Sequence, residues 1–436
     1  MSDLLSQSPA EVVARLREEG GGAFAVRAPD AVAWALSHDW MDAVAAAGEE
    51  AAAGAGIEAV FLARGPETGA LFGCFLHRLA RGQAQGGLRR SLYPDLAAFV
   101  RDGARLAMAM GRKNALAGLW WSGGKGLIAA PEGPEALDPL FRRTLYREYG
   151  AFVSSLRGAY VTAEDAGTTP QDMAAVFETT RFATCIPEEA GGSGNPSAAT
   201  ARGVVCGLEA ALEATGADGI AGGRFVVQGL GQVGMHVVAA LLEAGAREVL
   251  GGDVDPERVR EARVRFRDAP VEARHCAPDD SSLLEEPCDA LLPCALGGVL
   301  GPATLAKLRT PLVCPAANNP LQAEVRDARA AAERGIVVLP DFVVNRMGIV
   351  RCANEAFGAP RPDPEVERHL DADDPEGIPA VVRRVLELAA ARQTTPIEAA
   401  FELADARCAE AHPLFGDRAR RIVRTLVEEG WPGSGA

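Results

Sequence analysis

Three lysines stand apart in a chain that otherwise uses arginine as its cation. Of 44 basic residues only Lys113, Lys125 and Lys307 are lysine, leaving 41 arginines. Arginine does not release its proton inside a protein, whereas a buried lysine can. Lys113 and Lys125 lie twelve residues apart. Lys113 ends a predicted helix in Arg112-Lys113-Asn114, and Lys125 sits in Ser122-Gly123-Gly124-Lys125-Gly126, where small residues leave room for a ligand. A third candidate, Asp165, follows a predicted strand beside Gly167 and two threonines; taken alone it reads equally well as a capping or turn aspartate. Two amines and one carboxylate suit oxidative deamination of an amino acid. One ammonium stays charged and binds the substrate carboxylate. The other, its pKa lowered by burial and by its cationic neighbour, is a general base on water, and the carboxylate shuttles a proton to or from the amine.

A second site is a turn. Gly229-Leu230-Gly231-Gln232-Val233-Gly234 follows a predicted strand and opens a predicted helix, and Asp253 lies 24 residues past its first glycine, at the end of the next strand. That context makes it a dinucleotide-binding fingerprint. Gly229 permits the tight turn, Gly231 lets the backbone approach a pyrophosphate at the helix N-terminus, and Gly234 lets helix and strand pack closely. Asp253 is placed to accept hydrogen bonds from the adenosine ribose and to repel a 2'-phosphate, which favours NAD; Arg258 and Arg260 nearby keep NADP open.

Elements must hold these residues in place. Residues 1–56 are rich in Ala, Glu and Gly and read as helical. Ile57–Arg64 and Ala70–Arg78 flank a five-residue loop and predict a hairpin. The spacing predicts helices over 93–111 and 139–156, and strands over 126–130 and 159–163. Residues 187–197, rich in Pro, Gly, Ser and Asn, form a hinge. Beyond it strands (224–228, 248–251, 289–292, 311–314, 336–339) alternate with helices (to 244, 256–266, 302–308, 321–334), which predicts a parallel, doubly wound sheet. The tail, 378–429, reads as helices. The expected fold is therefore α/β in two domains: a substrate and oligomerisation domain over 1–195, with a helical tail (352–436) packing back on it, and a Rossmann domain over 196–351, with substrate and nicotinamide meeting in the cleft.

Composition excludes other classes. A formal net charge of -15 opposes nucleic-acid binding. The start lacks the basic region of a signal peptide, and no run approaches 18 apolar residues, so a cytoplasmic protein without a membrane span is expected. Nine cysteines without Cys-x-x-Cys spacing read as buried thiols in a reducing compartment, and no metal site is expected.

Several stretches resemble the glutamate/leucine/phenylalanine/valine dehydrogenase family, closest to its leucine/phenylalanine branch: Lys113-Asn114-Ala115-Leu116-Ala117-Gly118-Leu119 with Gly123-Gly124-Lys125, then Thr162-Ala163-Glu164-Asp165-Ala166-Gly167-Thr168-Thr169, Gly194-Asn195-Pro196-Ser197-Ala198-Ala199-Thr200, Pro293-Cys294-Ala295-Leu296-Gly297-Gly298 and Pro340-Asp341-Phe342-Val343-Val344-Asn345. The resemblance runs from about residue 57 to the C-terminus. It implies that Lys113 holds the α-carboxylate, Lys125 is the base and Asp165 handles the amine proton. It further implies that Thr200 touches the nicotinamide carboxamide, Ala295 and Asn318 line the cofactor path, and Asn345 lies near the reacting carbon. The side-chain selector falls on Gln85, in Gln83-Ala84-Gln85-Gly86-Gly87, with Ala163, Ile349 and Cys352. The activity implied is NAD-dependent interconversion of a neutral, aliphatic or aromatic L-amino acid with its 2-oxo acid and ammonia, by a homo-oligomer.

The chain departs from the family where Ser122 replaces the first of three glycines and where Arg346-Met347-Gly348 replaces Ala-Gly-Gly, which puts bulk and a charge beside the expected pocket. Glutamate enzymes carry lysine, and leucine enzymes leucine, where Gln85 stands. Two rival readings remain: the same scaffold acting on an unusual amino acid or an imine-forming condensation, and a catalytically weak NAD-binding regulator, against which the retention of two lysines in so lysine-poor a chain argues.

Overall fold

The computed structural model describes residues 2–27, 33–52, 54, 56–130, 138–278, 280–295, 297–355, 358 and 362–431. The chain divides into two compact units, one of residues 1–195, 355–359 and 404–436, the other of residues 196–354 and 360–403.

The first unit is built on a seven-stranded sheet. Strands β1 (Gly22–Arg27), β2 (Trp34–Leu36), β3 (Ile57–Arg64), β4 (Leu71–His77), β5 (Ala84–Ser91), β6 (Ser122–Ala129) and β7 (Tyr160–Glu164) lie in the order β2-β1-β3-β4-β6-β5-β7. β3 and β4 form the expected antiparallel hairpin. β5 runs parallel to both β6 and β7, which flank it. The helix Leu96–Leu116 begins at Asp95, whose carboxylate accepts from the Ala98 amide at 2.7 Å. Its apolar stripe (Phe99, Val100, Ala104) is buried with Phe75 and Leu127 of the sheet. A second core gathers Phe61, Phe72, Tyr149, Tyr160, Val423 and Leu426 from the sheet and from the helices Pro139–Ser155 and Arg418–Glu428. Each fully buried side chain of this size contributes roughly 1.5–3 kcal/mol, enough in aggregate to fix the strands that carry the chemistry.

Two readings of this unit are corrected. Residues 1–56 are not all helical: β1 and β2 pair with each other, and β1 pairs with β3. Small Ala and Gly residues carry no clear period, and the pairing partner decided the outcome. β5 was not anticipated, because Gly86-Gly87 interrupts its pattern.

The second unit carries six parallel strands, β8 (Arg224–Gln228), β9 (Glu248–Asp253), β10 (Val271–His275), β11 (Ala290–Pro293), β12 (Leu312–Val313) and β13 (Val337–Val338), in the order β10-β9-β8-β11-β12-β13. This is the expected doubly wound sheet. Strand order reverses at β8, the position at which such sheets bind ligands. The edge strand β10 and the helix Ser197–Ala214 were not anticipated. The tail does not all pack on the first unit, as expected for 352–436. The helix Ile378–Arg392 packs within the second unit on Ser197–Ala214, where Gly203 and Gly207 leave a slot that Ile378 fills. Of this tail, residues 355–359 and 404–436 belong to the first unit.

Seven cysteines are free thiols. Cys185 and Cys352 are disulfide-bonded instead, so the reading of all nine as thiols is corrected. Among the described residues no helix is long and apolar enough to cross a membrane.

Candidate active site

In the first unit Lys125 lies on β6 and Asp165 just past the end of β7, with β5 between those strands. Lys125 reaches across β5 and donates from Nζ to Asp165 Oδ2 at 2.5 Å. Its side chain is only 4% exposed. The crossing depends on Gly87, which stands opposite Ala163 on β7: a Cβ there would meet Asp165 Cβ at 2.6 Å. Gly123 serves a different end from the one expected. A Cβ there would meet the Ala107 carbonyl at 2.2 Å, so its bareness admits the helix Leu96–Leu116, not a ligand. That close approach sets the helix carrying Lys113 against the strand carrying Lys125. Lys113 is half-buried in the last turn of that helix. The turn is tied down by its neighbours: Asn114 Nδ2 donates to the backbone oxygens of Ser122 (3.0 Å) and Gln85 (3.3 Å), and Arg112 makes a two-pronged pair with Asp405 at 2.9 Å.

Burial pushes the Lys125 ammonium down; the charge and hydrogen bond of Asp165 oppose this, and the net result lies below the ordinary lysine range. Burial pushes Asp165 up, but the charges of Lys125 and Arg89 outweigh it and hold the carboxyl below its usual range. Arg89 is a residue that sequence reasoning missed. Two positions beyond Gly87 on β5, its Nε lies 3.4 Å from Asp165 Oδ2, while its Nη1 contacts both oxygens of Asp102 at 3.2 Å. Tyr93 donates to Asp102 at 2.8 Å. The Arg-Arg-Ser run at the end of β5 offered no signal for this network, because nothing in one sequence pairs Arg89 with Asp102. Glu164 was also missed; burial and the nearby charges of Asp165 and Asp172 push its carboxyl up to about 7.

The remaining substrate-side residues divide between the units. Gln85 is fully buried on β5, Ala163 is buried on β7, and the Gly86 carbonyl accepts from the Tyr160 hydroxyl at 2.6 Å. Asn345, Ile349 and Cys352 belong to the second unit, all buried. There Asn345 Nδ2 donates to the Ala316 carbonyl at 3.1 Å and to Asn318 Oδ1 at 3.0 Å, which brings two expected residues together. Arg346 does not stand as a free charge beside them. Its fully buried guanidinium lies 3.0 Å from His369 Nδ1 and donates to the Glu376 carbonyl. Burial first, and then the Arg346 charge, drive His369 down to about 3, so the ring stays neutral.

The turn of the second unit has the shape a dinucleotide needs. Gly229 adopts φ +100° at the end of β8, and a Cβ there would meet Ala295. A Cβ on Gly234 would meet the Gly229 carbonyl at 1.9 Å, whereas one on Gly231 would meet only Arg258, at 3.4 Å. The Gly231 position is thus open, and the helix Gln232–Glu243, which includes Val233, starts there with no side chain capping its amides. Those amides fit a pyrophosphate. Asp253 is more committed than expected: Oδ2 accepts from the Leu230 amide at 2.7 Å and Oδ1 from the Asp255 amide at 2.9 Å. Each oxygen keeps a lone pair for a ribose hydroxyl. Thr200 Oγ1 lies 3.7 Å from where a Cβ on Gly348 would stand. Among the described residues no group of His, Cys, Asp or Glu is placed to hold a metal.

A buried lysine paired with a partly buried carboxylate in one unit and an open glycine turn on a doubly wound sheet in the other define an oxidoreductase that uses a nicotinamide dinucleotide. Family models agree: Glu/Leu/Phe/Val dehydrogenase, dimerisation domain, matches residues 74–182, and Glutamate/Leucine/Phenylalanine/Valine dehydrogenase matches 191–255 and 256–416. The chain belongs to this family and is an amino-acid dehydrogenase, acting on a CH–NH2 group. It is 36% identical over 356 residues to leucine dehydrogenase of Bacillus subtilis (strain 168), covering 81% of this chain and 90% of that one. To phenylalanine dehydrogenase of Caldalkalibacillus thermarum (strain TA2.A1) it is 34% identical over 69% of this chain and 79% of that one. The crystal structure of L-tryptophan dehydrogenase from Nostoc punctiforme superposes with a TM-score of 0.68 at 27% identity, covering 85% of this chain and 99% of that one.

Proposed function

We propose that the protein oxidatively deaminates a neutral L-amino acid to its 2-oxo acid and ammonia, and runs the reverse reductive amination, with NAD as the preferred dinucleotide. The Lys125–Asp165 pair, with Lys125 buried, Asp165 partly buried and the two 2.5 Å apart, carries this reading. In it Lys113 holds the α-carboxylate. Asp165 takes a proton from the α-ammonium, freeing the nitrogen lone pair. A nicotinamide dinucleotide, which the Gly231 turn and Asp253 would hold, would supply the acceptor for the α-hydrogen as hydride. Neutral Lys125 then takes a proton from water as the oxygen adds to the resulting imine carbon. Asp165 returns its proton to nitrogen, and ammonia leaves as the carbonyl forms and takes up the hydroxyl proton, so that zwitterionic amino acid, oxidised dinucleotide and water give oxo-acid anion, ammonium, reduced dinucleotide and the one proton that Lys125 releases. Asn345 and Thr200 take the roles implied above, orienting the substrate and the carboxamide.

NAD preference rests on Asp253, whose carboxylate at the end of β9 opposes a 2'-phosphate. Asp253→Ser should narrow the NAD:NADP ratio of kcat/KM, and a wild type equally active with both would defeat that assignment. The dimerisation-domain match supports a homo-oligomer. Reduced-dinucleotide absorbance with the twenty L-amino acids tests the whole reading. Neutral substrates should turn over, and glutamate, whose distal carboxylate would be buried without a counter-charge, should be poor. Turnover of none would contradict the reading.

A further inference from the structure

Positions 85, 87 and 89 of β5 share one face of the strand. The Lys125–Asp165 pair meets over Gly87, and Arg89 on one side is committed to Asp165 and Asp102. On the other side, two residues back along the strand and therefore about 6.6 Å away, stands Gln85. Its side chain is fully buried, yet neither Oε1 nor Nε2 has a hydrogen-bond partner. Asn114, which holds the Gln85 backbone carbonyl, is also fully buried, and its Oδ1 is likewise without a partner. Buried polar atoms are almost always paired, because one left unpaired loses its hydration without replacement. An unpaired amide beside a reactive pair is therefore expected to be completed by what binds there.

We infer that Gln85 reads the substrate side chain and that this side chain ends in a carboxamide. The inference rests on the deamination reading, which places the α-carbon at the Lys125–Asp165 pair, two residues from Gln85 on the same face of β5. A carboxamide offers one acceptor and one donor, the complement of Nε2 and Oε1. An aliphatic side chain leaves both groups of Gln85 unpaired; a carboxylate satisfies Nε2 alone and sets its charge against Oε1; an ammonium satisfies Oε1 alone. The site would thus lie between the apolar and the acidic amino acids in preference: the substrate stays neutral, but a polar side chain replaces the aliphatic or aromatic one expected from the sequence.

Comparison of kcat/KM for L-glutamine and L-asparagine with that for L-methionine and L-leucine tests this. Wild type should favour a carboxamide substrate by about tenfold or more, the equivalent of one well-made hydrogen bond. Gln85→Met, similar in size and apolar, should reverse the order, and its melting temperature should not fall, because an unpaired amide has been removed. A wild type that favours methionine or leucine by about tenfold or more overturns the inference while leaving the deamination reading standing. An unchanged preference in Gln85→Met also overturns it. Turnover of none of the twenty amino acids would instead overturn the deamination reading.

Discussion

In the proposed reading the first unit does its chemistry with side chains, the second with backbone. Around Gly87 three ionisable groups, Lys125, Asp165 and Arg89, lie within a few ångströms of one another, and partial burial strengthens the interactions among them. Around Gly231 the working groups are helix amides, and the one buried carboxylate, Asp253, spends itself on holding the turn. The first region should therefore fail when a functional group is removed, the second when a carbon atom is added. Glycine appears in both for opposite reasons: Gly87 clears a path between two side chains, and Gly234 lets two backbones touch.

The largest effect that sharpens this contrast is expected from Gly234→Val. A side chain there collides with the Gly229 carbonyl, so affinity for reduced dinucleotide, read by its fluorescence, should fall by about a hundredfold or more. Melting of the first unit should hardly change. Retained affinity would mean that the turn is not the cradle. A smaller effect is expected from Arg89→Gln. Arg89 lowers the pKa of both Lys125 and Asp165; without it both rise. The deamination rate, which climbs as Lys125 loses its proton, should then need a more alkaline solution, by about one pH unit or less. A pH–rate profile that does not move would remove Arg89 from the network. The smallest effect concerns Glu164. Its folded-state pKa of about 7 lies above the ordinary value of 4.5, so its contribution to stability is full below the unfolded pKa and is lost as pH rises through about 7. Glu164→Gln should flatten the fall in melting temperature over that interval, and an unaltered slope would show that Glu164 does not titrate there.

Much of both regions was legible because the chemistry was local in sequence. The turn at 229–234 carries its strand, helix and Asp253 within one βαβ stretch, and Lys125 and Asp165 each stand in a short run of distinctive neighbours. Alternation of strand and helix after residue 196 was enough for the doubly wound sheet. What escaped depends on distant partners. Arg346 read as a charge beside the pocket because His369 and Glu376, which absorb it, lie over twenty residues on. Arg89 finds Asp102 only after β5 and the helix Leu96–Leu116 pack. β1 and β2 are strands because β3 pairs with β1, a fact that no Ala- and Gly-rich pattern encodes. Gln85 stood out as an unusual residue, but its unpaired amide is a property of burial, which a sequence does not display.

The central claim is that Lys125 moves a proton and does not merely supply charge. Lys125→Arg isolates that difference, since arginine keeps the charge and the pairing with Asp165 but cannot become neutral. On the best amino-acid substrate, its turnover should fall by on the order of 10²–10⁴, the usual worth of a positioned general base, with affinity for reduced dinucleotide unchanged. A Lys125→Arg enzyme that keeps most of its turnover would contradict the account.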